Sequence, residues 1–438
     1  MIPGIRAGPQ AVDIGAVPLI RVTRLALAAT AAAMPLYIVE WHVGWLTTTL
    51  LEGLVVLTIA LYALTLWRHR EPLPRRTAYD IPIAVFLIAG VIAIFVAPNH
   101  DVAAGAFRQY LVEPILLFYI ATAILETTAA IELLLAAWGA GAVLFALINI
   151  ATFTSALVTG TLQPGHAAAA FGINPNTVAL YIEPLIGVAA GIALFGRGRH
   201  RRAAAGVLCV LLLAEFSTLS RGGLLALGAL ALIAILTLSV PIGRMAVAGA
   251  SALGALAVWQ LPIIGPRVAT SLDPDGGTLA GRERIWEATF RMLHDHPVLG
   301  SGLSGYKSVM APYVVGAPRQ LIQPYPHNIA LAGWTELGLL GMVAFLYILI
   351  NLIVRPWRAF TRATGFHRAL LWGLGTAFVM ITVHGLVDNP FWKADLSLEF
   401  WLLAALEVLA LVAVRQSAIS RVSADVESRH ESMARRSA

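Results

Sequence analysis

Two arginines and a histidine stand at positions where a charge is costly without a partner. Arg221 lies in Ser220-Arg221-Gly222-Gly223, a tight turn between two apolar runs. Glycines there let backbone approach a ligand closely. The rival reading is an arginine that snorkels to the interface from a helix end. Arg282 opens residues 281–296, which read as an amphipathic helix between the turn Asp273-Pro-Asp-Gly-Gly277 and Pro297. On a helical wheel Arg282 falls in the middle of the apolar face, with Ile285, Trp286, Phe290, Met292 and Leu293. Arg284, Glu287 and Arg291 form the opposite face, where i,i+3 and i,i+4 ion pairs are expected. An arginine on a buried stripe is costly unless it meets an anion, so Arg282 is the functional expectation and Arg284 the structural one. Two guanidinium groups suit a diphosphate, whose oxygens the planar fork binds in pairs. His327 follows Gln323-Pro-Tyr-Pro326 and leads into an apolar run. Pro326 ends any earlier helix, which places His327 near a helix N-terminus, where a positive imidazole is disfavoured and a proton acceptor favoured. An interfacial cap is the competing reading. Glu336 lies in the outer half of the same run, a functional suspect or a bridge between helices.

Elements must hold these groups, and composition says which. Of 438 residues, 58% are hydrophobic and only 12% charged, with a mean hydropathy of +0.79. That excludes a soluble globular enzyme, a disordered chain and a disulfide scaffold. Twelve apolar runs are long enough to span a bilayer: 22–39, 45–67, 81–97, 110–126, 130–153, 177–195, 203–220, 224–242, 245–264, 329–354, 369–387 and 397–414. The expected fold is an all-α polytopic membrane protein, a single integral domain over 1–438, whose residues 265–328 form a long outer loop carrying the amphipathic helix. The Ala-rich stretch 27–33 resembles a signal-peptide cleavage site, but the apolar core continues to Val39, so a retained helix is expected. With both termini cytoplasmic, twenty-one of the thirty basic residues lie inside and nine outside. The net charge of +6 therefore reports topology, and no nucleic-acid partner is expected. The single cysteine, Cys209, allows neither an internal disulfide nor a cysteine-based metal site.

Several motifs fail their context. Gly300-Ser-Gly302-Leu-Ser-Gly305 matches a dinucleotide fingerprint but follows a helix, leaving its amides only a possible role in holding phosphate. Ser304-Gly-Tyr-Lys307 has no partner motif. Asp273 and Asp275 belong to a turn, and His294 and His296 point apart on a helix.

Taken in order, Ser220-Arg221-Gly-Gly, Gly281-Arg282-x-x-x-Trp286 with Pro297-x-x-Gly300-x-Gly302, and His327-Asn-x-x-Leu331-x-x-x-x-Glu336-x-Gly338 resemble the O-antigen ligase and polymerase superfamily. Asn174-Pro-Asn176 and Asp388 also look like that family, and the resemblance runs from about Arg108 to Asp388. Where the family often carries a basic residue ahead of Asn-Pro-Asn, this chain has His166. The resemblance implies a GT-C-like glycosyltransferase of the bacterial plasma membrane that needs neither metal, cofactor nor nucleotide sugar. Its donor would be a glycan on undecaprenyl diphosphate, its acceptor lipid A core for a ligase or a growing glycan for a polymerase, and its surroundings membrane lipid. By resemblance, Arg221 and Arg282 hold the diphosphate and His327 is the base, which makes these three the catalytic candidates. Asn328, Glu336, Asn176, Arg108 and Asp388 are the candidate substrate contacts. A transporter or lipid flippase is the alternative of another class, hinted at by Glu113-Pro114 and Glu183-Pro184.

Overall fold

The computed structural model describes residues 16–43, 46–70, 72–162, 167–260, 278–314 and 322–437. Fourteen helices dominate them: α1 (Ala16–Ala32), α2 (Leu50–His69), α3 (Asp80–Val96), α4 (His100–Ile124), α5 (Thr128–Val158), α6 (Pro175–Phe195), α7 (Gly198–Thr218), α8 (Arg221–Thr237), α9 (Pro241–Gln260), α10 (Thr278–Asp295), α11 (Tyr306–Met310), α12 (Ile329–Phe360), α13 (Gly365–Gly385) and α14 (Ala394–Ser437). Each of the twelve expected runs has its helix. Seven of these, α2, α4, α5, α6, α12, α13 and the apolar part of α14, are long and apolar enough to cross a membrane. The apolar helices α3 and α8 are shorter. Ile81, Phe95 and Leu144 are exposed, as side chains that face lipid must be. The protein is an all-α, multi-pass membrane protein.

The exception to helix is small. The run expected from residue 45 begins as a strand instead. Leu46–Thr49 (β2) pairs antiparallel with Glu40–Val43 (β1), Glu40 opposite Thr49. Three successive β-branched threonines favour strand, and Thr49 then caps α2 by accepting from the Glu52 amide. Thr49, Asn99, Asn174, Ser220 and Asn328 all cap helices through their side chains, satisfying amides that lipid would leave unpaired.

Helix α6 packs on α7 and α13, and α12 packs on α3 and α13. The α6–α13 seam is made of small residues, Gly187 and Gly191 against Gly373 and Ala377, which lets the backbones approach. Trp138, Trp372 and Trp401 are fully buried in the core.

One helix is broken for a reason. Gly338 in α12 has φ +68°, which separates the amide of Leu339 from the carbonyl of Thr335. The segment after α10 fills the gap: Ser301 N–H donates to Thr335 O at 2.8 Å, and Leu339 N–H donates to Val298 O at 2.9 Å. Residues 298–305 are thereby stapled to α12.

Candidate active site

The site is built around one carboxylate. Asp388 lies in the turn between α13 and α14, is 2% exposed, and gathers partners from four segments. His327 Nδ1 is 3.1 Å from its Oδ1, and Asn176 Nδ2 donates to its Oδ2 at 2.9 Å. The Asn389 amide donates to Oδ1 at 2.9 Å, and an Arg282 Nη2 stands 3.8 Å from Oδ2. Burial alone raises the Asp388 carboxyl. The hydrogen bond and charge of His327, with the charges of His384 and Arg282, outweigh it and hold the group well below the usual carboxylate range. The Arg282 guanidinium is pushed down by burial, opposed by Asp388 and Tyr325.

Local structure explains how each group arrives. His327 has φ +52°, an uncommon backbone for a non-glycine residue, and it precedes the cap residue Asn328. Its ring lies edge-on to Tyr325, with centroids 4.8 Å apart. Trp286 of α10 donates its indole N–H to Pro326 O at 2.9 Å, which ties the amphipathic helix to the segment that carries the histidine. On that helix Ile285, Ala288, Thr289, Met292 and Leu293 are buried, while Arg284, Glu287 and Arg291 are exposed. Arg282 stays on the inward side, as the wheel expects. Phe290 does not: it is 54% exposed, because the buried stripe is centred away from it. The expected ion-pair row is also absent among the described residues, and Arg291 donates to Tyr313 O instead.

Arg221 begins α8 behind this cluster. The next residue, Gly222, lies against the ring of His384, and a methyl group there would collide with it. His384 Nδ1 is 2.7 Å from Glu183 Oε1, and both residues are buried. His384 also passes its carbonyl to the Asp388 amide at 3.0 Å. The glycine after Arg221 is thus required for close approach, which the sequence reading assigned to a ligand and the structure assigns to a second histidine.

The remaining candidates divide. Asn176 is in the cluster. Asn328 adjoins it, but its side chain is committed to the fold: its oxygen accepts from Ala330 and Leu331 amides, and its Nδ2 donates to Leu386 O at 3.1 Å. Glu336 stands apart, accepting the Ser304 amide at 2.5 Å beside the helix break. Five of the six amides of residues 300–305 meet protein acceptors, so this glycine-rich loop holds the fold rather than phosphate. Arg108 is paired with Glu52 and with Glu113, the latter at 2.8 Å, away from Asp388. Asp273, Asp275 and His166 lie outside the described residues. The sequence reading missed Tyr325 as a wall for His327. Its place two residues before the histidine, between two prolines, was the available signal.

A family pattern described as O-Antigen ligase matches residues 205–346. That stretch holds Arg221, Arg282, His327, Asn328 and Glu336, while Arg108, Asn176 and Asp388 lie beyond it. No curated protein sequence matches the chain. Over residues 205–346 the chain is therefore similar to the O-antigen ligase family.

Proposed function

We propose that the protein transfers a glycan from an undecaprenyl-diphosphate carrier to a hydroxyl of an acceptor sugar, with inversion and without a metal, in the manner of an O-antigen ligase. The observation that carries this reading is the convergence of His327, Arg282 and Asn176 on the Asp388 carboxylate. His327 Nδ1–H donates a hydrogen bond to Asp388, which holds the tautomer whose Nε2 is free to accept a proton. Nε2 takes the proton of the acceptor hydroxyl as its oxygen bonds to the anomeric carbon. The bond from that carbon to the diphosphate oxygen breaks, and undecaprenyl diphosphate departs with the electron pair. Arg282 and Arg221 stabilise the charge that develops on it. Diphosphate is a good leaving group, so no strong acid is needed.

The basic residues support placing this site on the outer face of the bacterial plasma membrane, with both termini cytoplasmic. The test is transfer by purified protein from an undecaprenyl-diphosphate glycan, with lipid A core and a second donor molecule as competing acceptors. Lipid A core as the preferred acceptor makes it a ligase. Preference for the second donor makes it a polymerase. Transfer to neither overturns the proposal.

A further inference from the structure

A cavity of about 520 Å³ opens beside the site, among the β1–β2 hairpin, α2, α4 and the start of α14. None of the residues that hold Asp388 lines it. Its wall includes Tyr37, Glu52, Gln109, Tyr110, Glu113 and Lys393. Three features mark it as built rather than incidental. First, α4 makes a π turn at Arg108–Val112, which brings Gln109, Tyr110 and Glu113 together on the wall. Such turns are frequent at functional sites. Second, Glu52 and Glu113 share one guanidinium, Arg108. An ionised carboxylate offers about four lone-pair sites, so two on one arginine retain acceptors for hydroxyl donors. Third, Tyr37 and Tyr110 add aromatic surface to a polar wall. Aromatic surface with a few placed acceptors suits a hydroxyl-rich ligand of low charge.

One hydrogen bond ties the cavity wall to the helix that carries Asn176. Lys393 Nζ donates to Thr177 Oγ1 at 2.7 Å, and Thr177 follows Asn176, which holds Asp388. Tyr37 is an electrostatic neighbour of Tyr325, the residue edge-on to His327. Tyr325 in turn neighbours Arg282. An inverting displacement needs the nucleophile on the side of the anomeric carbon away from the departing diphosphate. Neither Arg282 nor Arg221, the groups given to the diphosphate, lines the cavity, which assigns it to the nucleophile's side.

We propose that this cavity is the subsite for the acceptor glycan, an oligosaccharide of roughly two or three sugar residues. The assignment rests on the transferase reading above. The first test is photo-crosslinking of the full chain in membranes of cells making surface polysaccharide, with p-benzoylphenylalanine in place of Gln109, Leu51, Tyr325 or Ala359. Carbohydrate-bearing adducts are expected at Gln109, Leu51 and Tyr325, and none at Ala359 near the opposite end of α12. Adducts at Tyr325 alone overturn the subsite and leave the transferase reading standing. Adducts at none of the four overturn both. The second test is kinetic, with purified protein. Gln109→Ala and Tyr37→Leu should each raise the acceptor KM about tenfold, with kcat within about threefold and donor KM unchanged. A rise in donor KM instead gives the cavity to the donor glycan and overturns the acceptor assignment.

Discussion

Asp388→Asn keeps the shape of the central residue and removes its charge. The carboxylate serves Asn176 through Oδ2 and both His327 and the Asn389 amide through Oδ1. An asparagine has one oxygen for these donors. If that oxygen stays with the Asn389 amide, its NH₂ faces the NH₂ of Asn176. If it turns to Asn176, its NH₂ faces His327 Nδ1, which must then accept, and the ring proton moves to Nε2. That is the nitrogen the reaction needs empty. Arg282, buried to 16% side-chain exposure, also loses its carboxylate neighbour. In the serine-protease triad the matching change costs about 10⁴ in turnover. A loss of about 10³ is expected here, roughly 4 kcal/mol at about 1.4 kcal/mol per decade. The assay is single-turnover transfer from a radiolabelled lipid-linked glycan, with donor binding measured in parallel. An Asp388→Asn protein that keeps a tenth of wild-type turnover refutes the tautomer argument.

Acid stability tests the same carboxylate independently. A group held below its unfolded value, about 3.9 for aspartate, stabilises the fold above that pH and loses its effect as pH falls through the folded value. The difference in thermal melting between wild type and Asp388→Asn should shrink as pH falls below about 4; a difference that keeps widening below about pH 4 contradicts the pairing. Arg282→Ala should lower transfer at least about a hundredfold and Arg284→Ala less than about threefold, and equal losses would reverse the face assignment. His327→Ala should abolish turnover while donor binding stays nearly intact, whereas Arg221→Ala should weaken binding as well. If His327→Ala still transfers at about a tenth of the wild-type rate, the histidine is a structural cap. With Cys209 replaced by serine, a cysteine at His294 should react with an impermeant thiol reagent added outside and one at Gly198 should not. Labelling at Gly198 alone inverts the topology and removes the proposed mechanism.

Much of the architecture was legible from local signals. Apolar run length located a helix for each of the twelve segments, because lipid forces backbone groups to pair within a segment. Pro326 ended one segment before α12 began. The amphipathic wheel separated Arg282 from Arg284, since helical period alone decides which side chains share a face. The β1–β2 hairpin was not legible, because a short threonine-rich strand beside an apolar run reads as more of that run.

The sequence alone determined which residue types were available and which helix face each occupied. Arg282 and His327 were singled out by type and setting, and Asp388 by its resemblance to the family pattern. Only the tertiary structure decided that Asp388 is the centre, since its partners come from positions 176, 282 and 327 and no periodicity links them. The same holds for the demotions. Glu336 and Arg108 were candidate contacts beside Asp388, but the fold gave the first to the Ser304 amide and the second to Glu52 and Glu113. A side chain's chemistry is local. Its partner is set by the packing of distant segments, here by small residues that let α6 and α13 close together and by a helix break at Gly338 that only an inserted loop could satisfy.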